Sequence, residues 1–164
     1  MMMEILAEIR KHPLFQEYYD KLKEAERGRK FCRHQMEHLL DVARIAYILN
    51  LEQKLGIRKE VIYAAALLHD IGKYRQYVED IPHELASVEI AEKILDDLPQ
   101  PAFSSEAKQE ILKAIRGHRQ IHDNMAVLER LLYISDKKSR QCFACEAKPE
   151  CDWSEEKKNL EIEI

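Results

Sequence analysis

The sequence predicts a single all-α domain, and three observations carry that prediction. Leu, Ala, Glu and Lys are abundant, while Gly and Pro number only four and five among 164 residues. Apolar residues recur at helical spacing in successive segments. Those segments are divided by short breaks at Gly and Pro. A content of 46% apolar and 34% charged residues suits a globular chain with one good core. The formal net charge of -4 gives no support for binding long nucleic acid, which needs a basic surface.

The elements follow in order. Residues 2–12 form a first helix, and Pro13 opens a second that runs to about Glu26. Gly28, inside the basic run Arg27 to Lys30, makes a break. A long helix runs from about His34 to Leu55 and is stopped by Gly56. A helix from about Lys59 to Ile71 carries the almost wholly apolar run Val61–Leu68, and a helix apolar on every side belongs inside a protein. Tyr74 to Pro82 reads as a loop. A helix from His83 to Leu98 is ended by Pro99-Gln-Pro101. Ser104 or Ser105 caps the next, which ends near Gly117, and the last covers Met125 to Lys138. From Cys142 the chain is polar and irregular, and the alternating Leu160–Ile164 suggests a short extended tail. The organisation is an N-terminal helical pair over 1–30 packed on the core, a central domain over 31–140 and a cysteine-bearing tail over 141–164. The charged N-terminal pair could serve as a lid or as a homodimer contact.

The N-terminus has acids inside its apolar stretch and no cleavage-site pattern, so it is not read as a signal peptide. No uncharged segment is long enough to span a bilayer. The protein is therefore expected in the cytoplasm, with its four cysteines reduced or metal-bound.

The buried run Val61–Leu68 ends in His69-Asp70. An imidazole and a carboxylate left alone in an interior would cost several kcal/mol each, and a metal ion would compensate both. Other helices place ionisable groups on inward faces. His38 continues the stripe of Val42, Ile45 and Leu49; His118 follows Ile111 and Ile115; Asp136 follows Leu128 and Leu132. Each taken singly reads as an ordinary core histidine or a paired helix carboxylate. Their conjunction favours a metal centre.

Three blocks of this pattern resemble the HD-domain superfamily: His38-Leu-Leu-Asp-Val-Ala-Arg44, Ala66-Leu-Leu-His-Asp-Ile-Gly-Lys73 and Leu132-Tyr-Ile-Ser-Asp-Lys137. The resemblance spans roughly residues 31–140. It implies a helical domain with a central metal site, where His38, His69, Asp70 and Asp136 hold one divalent ion. His83 and His118 fall where some members hold a second metal, with Asp70 bridging. That arrangement resembles small bacterial HD proteins of the dinucleoside-polyphosphate hydrolase type, although Glu84 departs from it. In a site with one metal, His83 and His118 would act as phosphate donors.

The activity so implied is metal-dependent phosphohydrolysis of a nucleotide or other phosphate ester through metal-activated water. An imidazole and carboxylate donor set suits Fe, Mn, Co, Ni or Zn. Asp70, Lys73 and His34 are the candidate catalytic residues, with His34 a proton donor or a partner of the ligands. Lys73, Arg119 and Lys137 are candidates for binding substrate phosphate, against the plainer reading of solvated surface cations. His122 reads as a surface residue, and Glu37 and Asp41 as a solvated face. Two other functions stay open: a non-catalytic nucleotide-binding regulatory module, and an HD protein that uses two irons to activate oxygen.

Cys142, Cys145 and Cys151 place three thiols in ten residues, and Cys32 lies just before the His38 helix. Together they could form a structural zinc site or hold an iron–sulfur cluster, joining the tail to that helix start. The plainer reading is a set of small reduced thiols.

Overall fold

The computed structural model describes residues 3–99 and 102–164. Its regular elements are eight α-helices and two short 3-10 turns, with no strand among the described residues. The helices are α1 (Glu4–Lys11), α2 (Pro13–Ala25), α3 (Met36–Glu52), α4 (Lys59–Leu68), α5 (Lys73–Glu79), α6 (His83–Asp97), α7 (Ser105–Gly117) and α8 (Val127–Lys138). The 3-10 turns, Cys142–Ala144 and Lys148–Glu150, belong to the tail.

α4 is the centre because beyond Lys59 and Glu60 it carries no charged side chain. Val61, Ile62, Leu67 and Leu68 are buried, and Ala64, Ala65 and Ala66 are wholly covered. The alanines let neighbours approach closely, and α4 packs on α1, α3, α7 and α8. α3 also lies against α8, α7 joins α8 to α6, and α5 bridges α2 and α6. Leu6, Ile9 and Phe15 of the N-terminal pair belong to the same apolar cluster as α4.

Helix ends follow local chemistry. Pro13 sits in the first turn of α2, where its missing N–H leaves no gap, and His12 Nδ1 accepts from Leu14 N. Ser104, rather than Ser105, caps α7 by accepting from Ala107 N at 3.1 Å. The Pro99-Gln-Pro101 stop lies partly outside the described residues, as does Met2 at the expected start of the first helix. α3 ends at Glu52, three residues before the expected stop, and the chain turns through left-handed Lys54 and Gly56. Asn50 fixes that turn. Its buried amide donates to Ile57 O at 3.1 Å and accepts from Ile57 N at 3.0 Å. Asn50→Ala leaves both groups unpaired and is expected to cost about 2 kcal/mol, read as a lowered urea midpoint.

Two segments differ from the sequence expectation. The Tyr74–Pro82 region is not all loop, since Lys73–Glu79 is helical. None of its residues is buried, although Tyr74, Tyr77 and Val78 recur at helical spacing; Arg75 supports it through an i,i+4 pair with Glu79 and a second pair with Glu89. The Leu160–Ile164 tail forms no strand.

Candidate metal centre

The turn after α4 sets the centre. His69 caps the helix, and Asp70–Gly72 lead into α5. Gly72 is required by space. A Cβ there would lie 2.3 Å from Ser87 N and 2.6 Å from Ala86 C. Gly72 N donates to Ser87 Oγ at 2.9 Å, which brings α6 and its His83 against the turn. His38 comes from the first turns of α3, His118 from the end of α7 and Asp136 from the last turn of α8.

These side chains converge as two groups that share one residue. Donor atoms of His38, His69, Asp70 and Asp136 all lie within 4.8 Å of one another, as do those of Asp70, His83 and His118. Asp70 divides its oxygens between them. Its Oδ2 lies 3.2 Å from His38 Nε2 and 3.0 Å from His69 Nε2. Its Oδ1 lies 3.4 Å from His83 Nε2 and 3.7 Å from His118 Nε2. Every one of these side chains is buried.

The hydrogen bonds behind the rings fix their tautomers. His69 Nδ1 donates to Ala66 O at 2.7 Å, and His118 Nδ1 to Ile115 O at 2.6 Å. His83 Nδ1 donates to Gln76 Oε1 at 2.6 Å. Ser139 Oγ donates to Asp136 O, so it accepts from His38 Nδ1 at 3.1 Å. With the proton on Nδ1, each neutral ring turns an Nε2 lone pair inward. His83 Nε2 and His118 Nε2 then face each other at 3.1 Å, and His69 Nε2 is buried with no hydrogen-bond partner. Lone pairs aimed at lone pairs and carboxylates repel unless a cation stands among them. The donor set therefore fits a divalent metal.

Burial disfavours charge on His69, yet Asp70 and Asp136 outweigh it and push its pKa up to about 10. Without a cation this ring would take up a second proton, whose place a metal among the donors would fill. Burial likewise opposes the Asp70 anion, and the surrounding histidines hold it well below the usual carboxylate range. His83, with burial dominant, is pushed down to about 2. The pocket thus stores negative charge at two carboxylates while keeping His83 neutral.

His34 is not on α3 but in the segment preceding it, and it is buried. Its Nδ1 donates to Glu26 Oε1 at 2.8 Å, and its backbone N–H donates to Glu26 Oε2 at 2.8 Å. Glu26 is wholly buried and also accepts from Tyr77 OH at 3.3 Å. Burial pushes His34 down to about 4, although Asp70 and Glu26 pull the other way. The native ring therefore stays neutral between about pH 4 and 6.5, while the unfolded chain takes up a proton. The unfolded state binds more protons in that window, so stability falls as pH drops from 6.5 towards 4, by up to about 3 kcal/mol. Urea denaturation across that range should show the slope in the wild type and a flatter one in His34→Gln.

The other sequence candidates fall into two sets. Lys73 lines a cavity of about 830 Å³ that reaches the centre at His34 and His38. Lys137 does not face it as expected. Its ammonium lies 2.5 Å from Asp136 Oδ2 and packs over Tyr133 and Trp153, so it neutralises a candidate ligand. Arg119 is also turned away. It pairs with Glu84 at 3.3 Å and lines a separate surface hollow. His122 is exposed and pairs with Glu129 at 2.7 Å. Glu37 and Asp41, read as a solvated face, line the large cavity. Cys32, Cys142, Cys145 and Cys151 line it too, as free thiols, and no three of them lie within 4.8 Å of one another.

Glu26, Gln76 and Ser139 are site residues that the sequence reading missed. Each hydrogen-bonds a histidine of the site from behind, and no motif marks any of them.

Fold and centre together define a helical domain whose buried histidines and aspartates could hold a metal. A model of the HD domain matches residues 36–141, and the chain belongs to the HD-domain family. An uncharacterized protein of Clostridium beijerinckii is 45% identical over 146 residues, which cover 88% of this chain and 89% of that protein. The crystal structure of a predicted HD superfamily hydrolase from an uncultured Thermotogales bacterium shares the fold. Its TM-score is 0.62 at 22% identity, covering 96% of this chain and 88% of that one. Among the described residues no helix is long and apolar enough to cross a membrane.

Proposed function

We propose that the protein is a metal-dependent phosphohydrolase acting on a small phosphorylated substrate, with nucleotides the leading class. One observation carries the reading. Four imidazoles with inward lone pairs meet two buried carboxylates, beside a cavity that also holds Lys73 and several arginines. His38, His69, Asp70 and Asp136 would hold one ion, and Asp70, His83 and His118 a second. A divalent cation bound there supplies an acidified water and polarises a phosphoryl oxygen. Imidazole and carboxylate donors suit Fe, Mn, Co, Ni or Zn.

The chain's own residues supply the remaining chemistry. Lys73 is half-buried, and burial lowers its pKa, so its ammonium gains from a phosphate charge beside it. Glu26 holds the His34 proton at Nδ1. That leaves Nε2 to exchange a proton with the attacking or leaving oxygen in the cavity that His34 lines. Phe31 and Trp153 line the same cavity and offer flat apolar faces to a base. Its volume suits a nucleotide-sized ligand.

The test is phosphate release from nucleoside mono-, di- and triphosphates, dinucleoside polyphosphates and p-nitrophenyl phosphate, each with Mn, Co, Mg and Zn. Metal-dependent release is the expected result. Tight nucleotide binding without turnover under every metal would overturn it in favour of a regulatory module. Oxygen consumption by the ferrous protein, without phosphate release, would overturn it in favour of di-iron oxygen chemistry.

A further inference from the structure

We propose that Cys32, Cys142, Cys145 and Cys151 form a second, structural metal centre, a four-thiolate site for zinc or an iron–sulfur cluster. It would pin the C-terminal segment as one wall of the large cavity. This inference does not depend on the phosphohydrolase reading.

Convergence is the first ground. Cys32 stands more than a hundred residues before the other three in sequence, yet all four line one cavity. Flanking contacts hold the two segments together. Arg140 donates to Arg33 O at 2.7 Å, and Lys30 pairs with Glu150 at 2.5 Å. Tight turns gather the tail cysteines, as Cys145 N donates to Cys142 O at 3.3 Å and Cys151 N to Lys148 O at 3.3 Å.

The charge balance is the second ground. Arg140 is buried, lines the same cavity, and its Nε has no hydrogen-bond partner. A buried guanidinium with an unused N–H calls for an anion, and four neutral thiols provide none. A metal bound by four thiolates carries net negative charge and would satisfy it.

The third ground is how little apolar core orders the tail, which is otherwise held by polar contacts such as Asn159 Nδ2 donating to Lys138 O at 3.1 Å and to Arg140 O at 2.8 Å. Beyond Cys142 the only buried residues are Ala147 and Asn159. A segment with so little core needs a staple, and the four cysteines form no disulfide. The thiols are more widely spaced than donors around one small ion, so metal loading would draw them together or place several metal atoms among them.

The experiment uses the full chain, purified without air and without added metal. Metal content and acid-labile sulfide are measured in the wild type, Cys145→Ser and Asp70→Asn. Cys145 is exposed, so its replacement disturbs little packing. The expected result is zinc, or iron with sulfide, that is lost in Cys145→Ser and kept in Asp70→Asn; which of the two appears identifies the metal. Three wild-type readouts avoid dependence on the variant folding. Thiol titration should find the cysteines protected until a chelator is added. Cobalt reconstitution should give a thiolate-to-metal charge-transfer band. Trp153, the sole tryptophan, lies two residues after Cys151 and should shift its emission when the metal leaves. Four freely reactive thiols in the purified protein, with no charge-transfer band on cobalt addition, would overturn the proposal.

Discussion

Asp70→Asn is expected to lose the bound metal of the His/Asp centre and at least about 10³-fold in phosphoester turnover, equivalent to about 4 kcal/mol of barrier. The reason is geometric. Asp70 alone belongs to both donor groups, one oxygen facing His38 and His69 and the other facing His83 and His118. The amide keeps the shape but removes the negative charge and turns one acceptor into a donor. Elemental analysis reads the first loss and phosphate release the second. A third readout is thermal: added Mn or Co should raise the melting temperature of the wild type and leave the variant unmoved, because only the wild type binds the ion in its native state. Wild-type metal content together with turnover within tenfold of wild type would sink the assignment.

Gly72→Ala is expected to destabilise the fold by about 3 kcal/mol or more. The added methyl meets backbone atoms of α6, Ser87 N at 2.3 Å and Ala86 C at 2.6 Å, and backbone cannot turn aside as a side-chain tip can. Relief requires α6 to retreat. That would break the Gly72–Ser87 hydrogen bond and carry His83 away from Asp70. A urea titration should show a lowered midpoint with an unchanged slope. A midpoint equal to wild type would show that α6 can yield at no cost.

Much of the helical framework was legible because burial imposes a period on the sequence. His38, His118 and Asp136 each continue an apolar stripe, and His69-Asp70 closes a run with no polar face at all. What lay off those stripes was harder to see. α5 has only seven residues and buries none of them, and its short i, i+3, i+4 set of Tyr74, Tyr77 and Val78 is too brief to stand out, so the segment read as a loop. Glu26 stands in a charged stretch beside Glu24, and nothing local distinguishes them. Only the arrival of His34 and Tyr77 makes Glu26 the buried acceptor. Gln76 and Ser139 were hidden in the same way, since the rings they orient come from other elements. Lys137 and Arg119 sit next to candidate ligands and looked free to meet phosphate. Neighbouring carboxylates claim both instead, a choice that spacing along the chain does not reveal.

A single carboxylate serving two pockets has a thermodynamic corollary. Once a cation settles on one side, it withdraws electron density from the whole carboxylate and adds its own field to the other side. The two binding events become coupled, and the coupling is reciprocal whichever ion arrives first. A calorimetric titration of metal into the ion-free protein should therefore resolve two unequal steps. Severing the shared residue should remove the antagonism along with the binding.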